Sequence, residues 1–129
     1  MPLKSIFGGW AEPVEAKTAD YTVLPSDIGK MFTNRGAGAT VTFTLPKSAA
    51  ELNGWWCEFF TAAAQAIAVA SAPADTLIVH ADATADSITT AATIGQNIKV
   101  VCDGTGMAVI SSPSVASTAT AVTAVTLAT

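Results

Sequence analysis

The chain has 129 residues, of which 12% are charged and half are nominally apolar, with a net charge of −4 and an isoelectric point near 4.6. Alanine (26), threonine (18), valine (11) and serine (9) make up half of it, and the charged fraction is well below the usual quarter. This length fits one domain, and the acidic balance gives no electrostatic footprint for nucleic acid or an anionic membrane; one histidine and two cysteines leave little material for a metal site or a catalytic dyad.

Residues 1–19 read as an extended N-terminal arm. Pro2, Gly8, Gly9 and Pro13 punctuate it, and no helical or strand period is sustained. It nevertheless holds Leu3, Ile6, Phe7, Trp10 and Val14. Two outcomes are open: a contact site for a partner, since exposed apolar clusters mark such sites, or a segment that folds back and plugs an open end of its own sheet. The opening lacks the basic, hydrophobic and small-residue order of a signal peptide. No stretch reaches the roughly 18 consecutive apolar residues of a membrane span, so synthesis in a cytoplasm is expected.

Residues 20–112 carry a β pattern. Ala39 to Leu45 alternates, with Val41, Phe43 and Leu45 on one face and Thr40, Thr42 and Thr44 on the other, the period-two pattern of a half-buried strand. Asn34 to Gly38 before it predicts a hairpin connection back to a strand over Lys30 to Asn34. Pro46 stops the strand, and Lys47 to Gly54 is a loop with room for one helical turn closed by Gly54. Trp55 to Thr61 is an aromatic strand with Trp55, Cys57 and Phe59 on one face and Trp56, Glu58 and Phe60 on the other. Rings on both faces predict that both are covered, one by the core and one by a second sheet or another subunit. Ala66 to Ala70, Thr76 to Val79, Ser87 to Thr89 and Gln96 to Cys102 continue the series. Asp103 to Gly106 is a second hairpin turn, leading into Met107 to Ile110. Helix propensity competes only at Ala62 to Ala66, and the flanking strands override it. The pattern predicts an all-β fold, a compact sandwich or barrel of about eight short, mainly antiparallel strands.

Residues 113–129 are low in complexity and free of charge. Their threonines and valines favour extended structure, either as a terminal strand of the same sheet or as one added to a neighbouring chain. Cys57 and Cys102 fall on apolar-facing positions and read as reduced core thiols. His80, with Asp82 two residues on, has no nucleophile or second acid in a recognised motif beside it. Asp75, Asp82, Asp86 and Asp103 do not match a compact calcium loop, and the glycine pairs at 36–38 and 104–106 lack the context of a phosphate cradle. Trp55 and Trp56 fit a sugar-stacking platform or, more simply, core or interface packing. No catalytic, metal or cofactor site is expected.

Asp20-Tyr-Thr-Val, then Ser26-Asp-Ile-Gly-Lys-Met-Phe-Thr-Asn34, then Gly36-Ala-Gly-Ala-Thr-Val-Thr-Phe-Thr-Leu-Pro46 form a distinctive series. With the aromatic strand at 54–60, the segment Ala64 to Val69 and the closing strand around Gly104-Thr-Gly106, it resembles a small β-rich module of tailed-bacteriophage virion proteins. Met107 stands where members of that family often carry tryptophan. The resemblance spans roughly residues 20–112 and implies a virion component, not an enzyme. A short chain with an apolar arm at each end fits, within that group, a capsid decoration or cement protein. Such a protein binds the outer surface of the head, contacts the major capsid protein and itself, commonly as a homotrimer, and needs neither nucleic acid nor membrane. Ile6, Phe7 and Trp10 are then the expected arm anchors, and Trp55, Trp56 and Phe60 the expected residues of subunit or inter-sheet packing. The alternative is a tail-fibre or tail-spike module that binds host surface glycan.

Overall fold

The computed structural model describes residues 13–79, 82–111, 114–115, 122–123 and 126–128. Its strands are β1 (Val14–Ala16), β2 (Tyr21–Thr22), β3 (Met31–Thr33), β4 (Val41–Thr44), β5 (Trp56–Phe60), β6 (Ile67–Ala70) and β7 (Leu77–Val79), followed by β8 (Asp82–Ala85), β9 (Ser87–Thr89), β10 (Asn97–Cys102), β11 (Met107–Ser111), β12 (Ser114–Val115), β13 (Val122–Thr123) and β14 (Thr126–Ala128). Two 3₁₀ turns, Pro25–Asp27 and Ala50–Leu52, interrupt them, and no α-helix occurs among the described residues.

The strands form a seven-stranded sheet in the order β1-β3-β5-β10-β11-β7-β8 and a five-stranded sheet in the order β14-β9-β6-β4-β2; β12 and β13 pair separately. The all-β expectation is met, with more strands than eight. Parallel pairings are nearly as common as antiparallel ones among the described strands: β1 with β3, β3 with β5, β2 with β4, β4 with β6 and β7 with β11 are all parallel.

One core lies between the two sheets. Alternate residues of β4 and β6 (Val41, Phe43, Ile67, Val69) and Ile88 of β9 face Phe32, Cys57, Phe59, Ile98, Val100 and Cys102 of the seven-stranded sheet. The rings of Phe32 and Phe59 stack at 5.8 Å, and Phe43 from the opposite sheet closes on both at 5.3 and 5.0 Å. These separations favour offset and tilted ring contacts.

The expected hairpin at Asn34 to Gly38 does not form. β3 and β4 belong to different sheets, so the glycine turn, with Gly36 at φ +86, carries the chain across the sandwich. The Asp103 turn does join an antiparallel pair, with Cys102 opposite Met107. Asp103 Oδ1 accepts the N–H groups of Thr105 and Gly106 there. Within the segment read as an arm, residues 14–16 fold back as β1, an edge strand beside β3. In the C-terminal segment, β14 pairs with β9 of the same chain, the intramolecular outcome.

The segment 61–66 is held away from helix by one side chain. Asn34 is fully buried; its Oδ1 accepts the N–H groups of Ala62 and Ala63, and its Nδ2 donates to the Gln65 carbonyl. Three bonds made at a distance in sequence outweigh the alanines' local preference.

Candidate interaction surface

Polar groups at the open side of the sandwich are committed to holding it shut. β1 of one sheet and β2 of the other are edge strands there, and Asp27, 3% exposed, joins them. Its Oδ2 accepts the Tyr21 hydroxyl and the Leu24 N–H at 2.9 Å each, and its Oδ1 pairs with Lys30 Nζ at 2.8 Å. Lys30 also bonds Glu15 of β1 at 3.0 Å, and the Lys17 ammonium lies 3.9 Å from the Tyr21 ring centre. Burial pushes the Asp27 carboxyl up, but the Lys30 ammonium, the Leu24 N–H and the Tyr21 hydroxyl outweigh it and leave it below its ordinary value. Bonds from Lys17 and then Lys30 hold Glu15 low as well. Lys30 is held protonated well above the usual lysine range by Asp27 and Glu15. Burial, then the bond to Asp27, raises Tyr21. The distinctive series Tyr21, Asp27, Lys30, Phe32 and Asn34 is therefore an internal clasp, with every polar member already paired.

Asp75, Asp82 and Asp103 hold backbone and hydroxyl groups of the chain itself. Asp75 accepts the Ser48 N–H and hydroxyl, Asp82 accepts the Thr84 N–H and hydroxyl, and the Asp86 carbonyl accepts the Ser71 N–H. Backbone N–H groups of Gly106 and Thr105 lower Asp103. An open cavity of about 490 Å³ lies between Asp75 and Asp86 at the end of the five-stranded sheet, with Ala74 at φ 62 in its wall. His80 lies outside the described residues.

Among the described residues, no strand packs on the outer face of the seven-stranded sheet. Strand register places its residues in rows. One row is Val14, Met31, Glu58, Lys99 and Ile110; another is Trp56, Val101, Ala108 and Ile78. Phe60 stands opposite Asn97. Val14 is 64% exposed, Ile110 59% and Ile78 41%, while Trp56 and Phe60 are half-buried. Ile78 covers Gly106, whose Cβ, if present, would lie 3.2 Å from Ile78 Cδ1. The two charges in these rows are directly opposite one another, yet Lys99 Nζ sits 4.9 Å over the Trp56 ring. Among the described residues Glu58 takes part in no ion pair. Apolar residues make up most of these rows, with Glu58, Lys99 and Asn97 set among them.

Of the expected contact residues, Trp56 and Phe60 lie on this face. Trp55 does not: it is 2% exposed, in the core, with its indole N–H donated to the Pro25 carbonyl at 3.0 Å. It packs in the core and is closed to a partner. Because Trp55, just before β5, is buried in the core while Trp56 lies on the outer face, the two do not form a twin-tryptophan platform. Ile6, Phe7 and Trp10 lie outside the described residues. Cys57 and Cys102 are buried thiols not joined by a disulfide; Cys57 Sγ donates to the Asp27 carbonyl at 3.1 Å. Sequence reasoning missed Met31, Ile78, Val101 and Ile110 as members of the face. The alternation in β10, with Lys99 and Val101 set against Ile98, Val100 and Cys102, was a usable signal for the outer side. Which strands flank β10 was not readable.

No protein-family model and no curated protein sequence matches the chain. No helix among the described residues is long and apolar enough to cross a membrane.

Proposed function

We propose that the protein is a bacteriophage capsid decoration (cement) protein, which binds the outer surface of the head and ties neighbouring major capsid proteins together. The observation that carries the proposal is the outer face of the seven-stranded sheet, mostly apolar across β1, β3, β5, β10 and β11 with one Glu58–Lys99 couple at its middle, on a chain with few charges. A cement protein needs a rigid body, a surface that buries apolar area against neighbours, and contact with other copies on the shell, commonly as a homotrimer. Two sheets sharing one core supply the rigid body, and the outer face supplies the area. The N-terminal segment with Ile6, Phe7 and Trp10 adds large apolar groups of the sort that dominate contact energies. Many such contacts stabilise a shell by mass action. A glycan-binding tail module gains no support from β5, where Trp55 is internal and Trp56 lies beneath Lys99.

The test is co-sedimentation of the purified protein with heads of the encoding phage stripped of it. Saturable binding to the head exterior, seen by microscopy of the particles, and raised resistance of the shell to heat are expected. Deleting residues 1–12 should leave the fold intact and weaken head binding. Absence of the full-length protein from the head surface would overturn the proposal, and unchanged occupancy after the deletion would remove the arm from it.

A further inference from the structure

The outer sheet face is self-complementary in charge. Glu58 on β5 and Lys99 on β10 occupy one row of the ladder, surrounded by apolar side chains, and they do not pair with each other. A two-fold axis lying in the plane of contact, parallel to these strands and midway between them, maps β5 of one copy onto β10 of the other. Glu58 then meets Lys99 of the second copy and Lys99 meets its Glu58, in two symmetric ion pairs. The same operation sets Trp56 against Val101 of the second copy at the next level of the ladder, since those two residues are themselves opposite within one chain.

We propose that this face binds the same face of a second copy, forming an isologous two-fold pair. The seven strands hold three to six residues each; with a spacing of about 4.8 Å and a rise of about 3.4 Å per residue the face spans roughly 29 by 14 Å, on the order of 800 Å² over both copies. An area below about 1,000 Å² fits a weak, readily dissociating pair. Aligned packing of two sheets keeps their strands within about 30° of parallel, as this axis requires. The pairing uses the face that the capsid proposal also invokes, so a pair formed in solution must open before that face meets the shell. The pair differs from a trimer, whose head-to-tail contacts need two different patches on each copy.

Sedimentation velocity and light scattering of the full chain should give a two-copy mass that dissociates on dilution. Glu58→Lys and Lys99→Glu should each weaken association at least about tenfold by placing like charges face to face. The double variant Glu58→Lys/Lys99→Glu should restore it. Ala108→Arg, on the same face away from the ion pairs, should also give monomer, and far-UV circular dichroism confirms that each variant is folded. A one-copy mass at all concentrations overturns the proposal. So does a larger mass indifferent to the swaps, or one that is lost on removing residues 1–12 while the swaps are silent, which would make the N-terminal segment the occupant of the face.

Discussion

A carboxylate buried as deeply as Asp27 persists only where its partners replace water. Its three partners come from Tyr21, Leu24 and Lys30, so its ionised form is built into the closed side of the sandwich. Asp27 and Glu15 both lie below their ordinary values in the folded protein. Their contribution is therefore present in full above the ordinary carboxylate value near pH 4 and is lost as pH falls through the lowered folded-state values. Asp27→Asn should cost about 2–4 kcal/mol at pH 7, read as a lower urea midpoint. The gap to the native chain should close below about pH 4; a gap of constant size down to pH 2 would show that the charge is not what matters. The spacing of Asp27, Lys30 and Asn34 was legible as a distinctive series, but its task was not. Tyr21 lies close in sequence, but Glu15, Ala62, Ala63 and Gln65 come to them only through the tertiary fold.

At the scale of elements, local alternation was a sound guide to faces and a poor one to neighbours. Val41 and Phe43, Cys57 and Phe59, and Ile98 and Val100 all point to the core, as their period of two implies. The two glycine turns had similar sequence signals and different outcomes. The Asp103 turn closes a hairpin because β10 and β11 can pair in register at once. After Asn34 the chain crosses instead, because β3 is already flanked in parallel by β1 and β5. Parallel partners must arrive from elsewhere in the chain, so no short-range pattern announces them. The glycines themselves are separable by experiment. Gly104 has φ +88, and a Cβ there would sit 3.3 Å from Cβ of Asn53. Gly38 has no positive φ and nothing within 4 Å of such a Cβ. Gly104→Ala should therefore destabilise by about 1–2 kcal/mol, while Gly38→Ala should be neutral or stabilise by up to about 1 kcal/mol. Thermal midpoints shift by a few degrees per kcal/mol in a chain of this size, enough to resolve the two. Equal losses at both sites would mean that Gly104's conformation is not what limits the turn.

For the whole molecule, the consequence of one shared core is cooperativity. Phe43 lies on the five-stranded sheet, and Phe32 and Phe59 on the seven-stranded one. All three are fully buried and in mutual ring contact. Neither sheet can keep its apolar face from water without the other, since each strand's inward residues pack against the opposite layer. Phe59→Ala removes the ring that touches both of the others and should cost about 3–5 kcal/mol. Because that ring serves both layers, the loss should appear as one shift shared by both. Far-UV circular dichroism, which follows the strands of both sheets, and the tryptophan fluorescence of a Trp10→Phe/Trp56→Phe background, which leaves Trp55 in the core as the reporter, should move to the same lower denaturant midpoint with an unchanged slope. Two separated transitions would mean that one sheet survives alone. Folding itself should be slow for the chain's size, in milliseconds to seconds. β3 cannot gain its second neighbour until β5 is made, and β5 is flanked on its other side by β10, some forty residues further on. Closing such loops costs entropy before the core compensates it, so Phe59→Ala should mainly slow folding if the three rings meet in the transition state. If it mainly speeds unfolding, the sheets assemble before the rings lock.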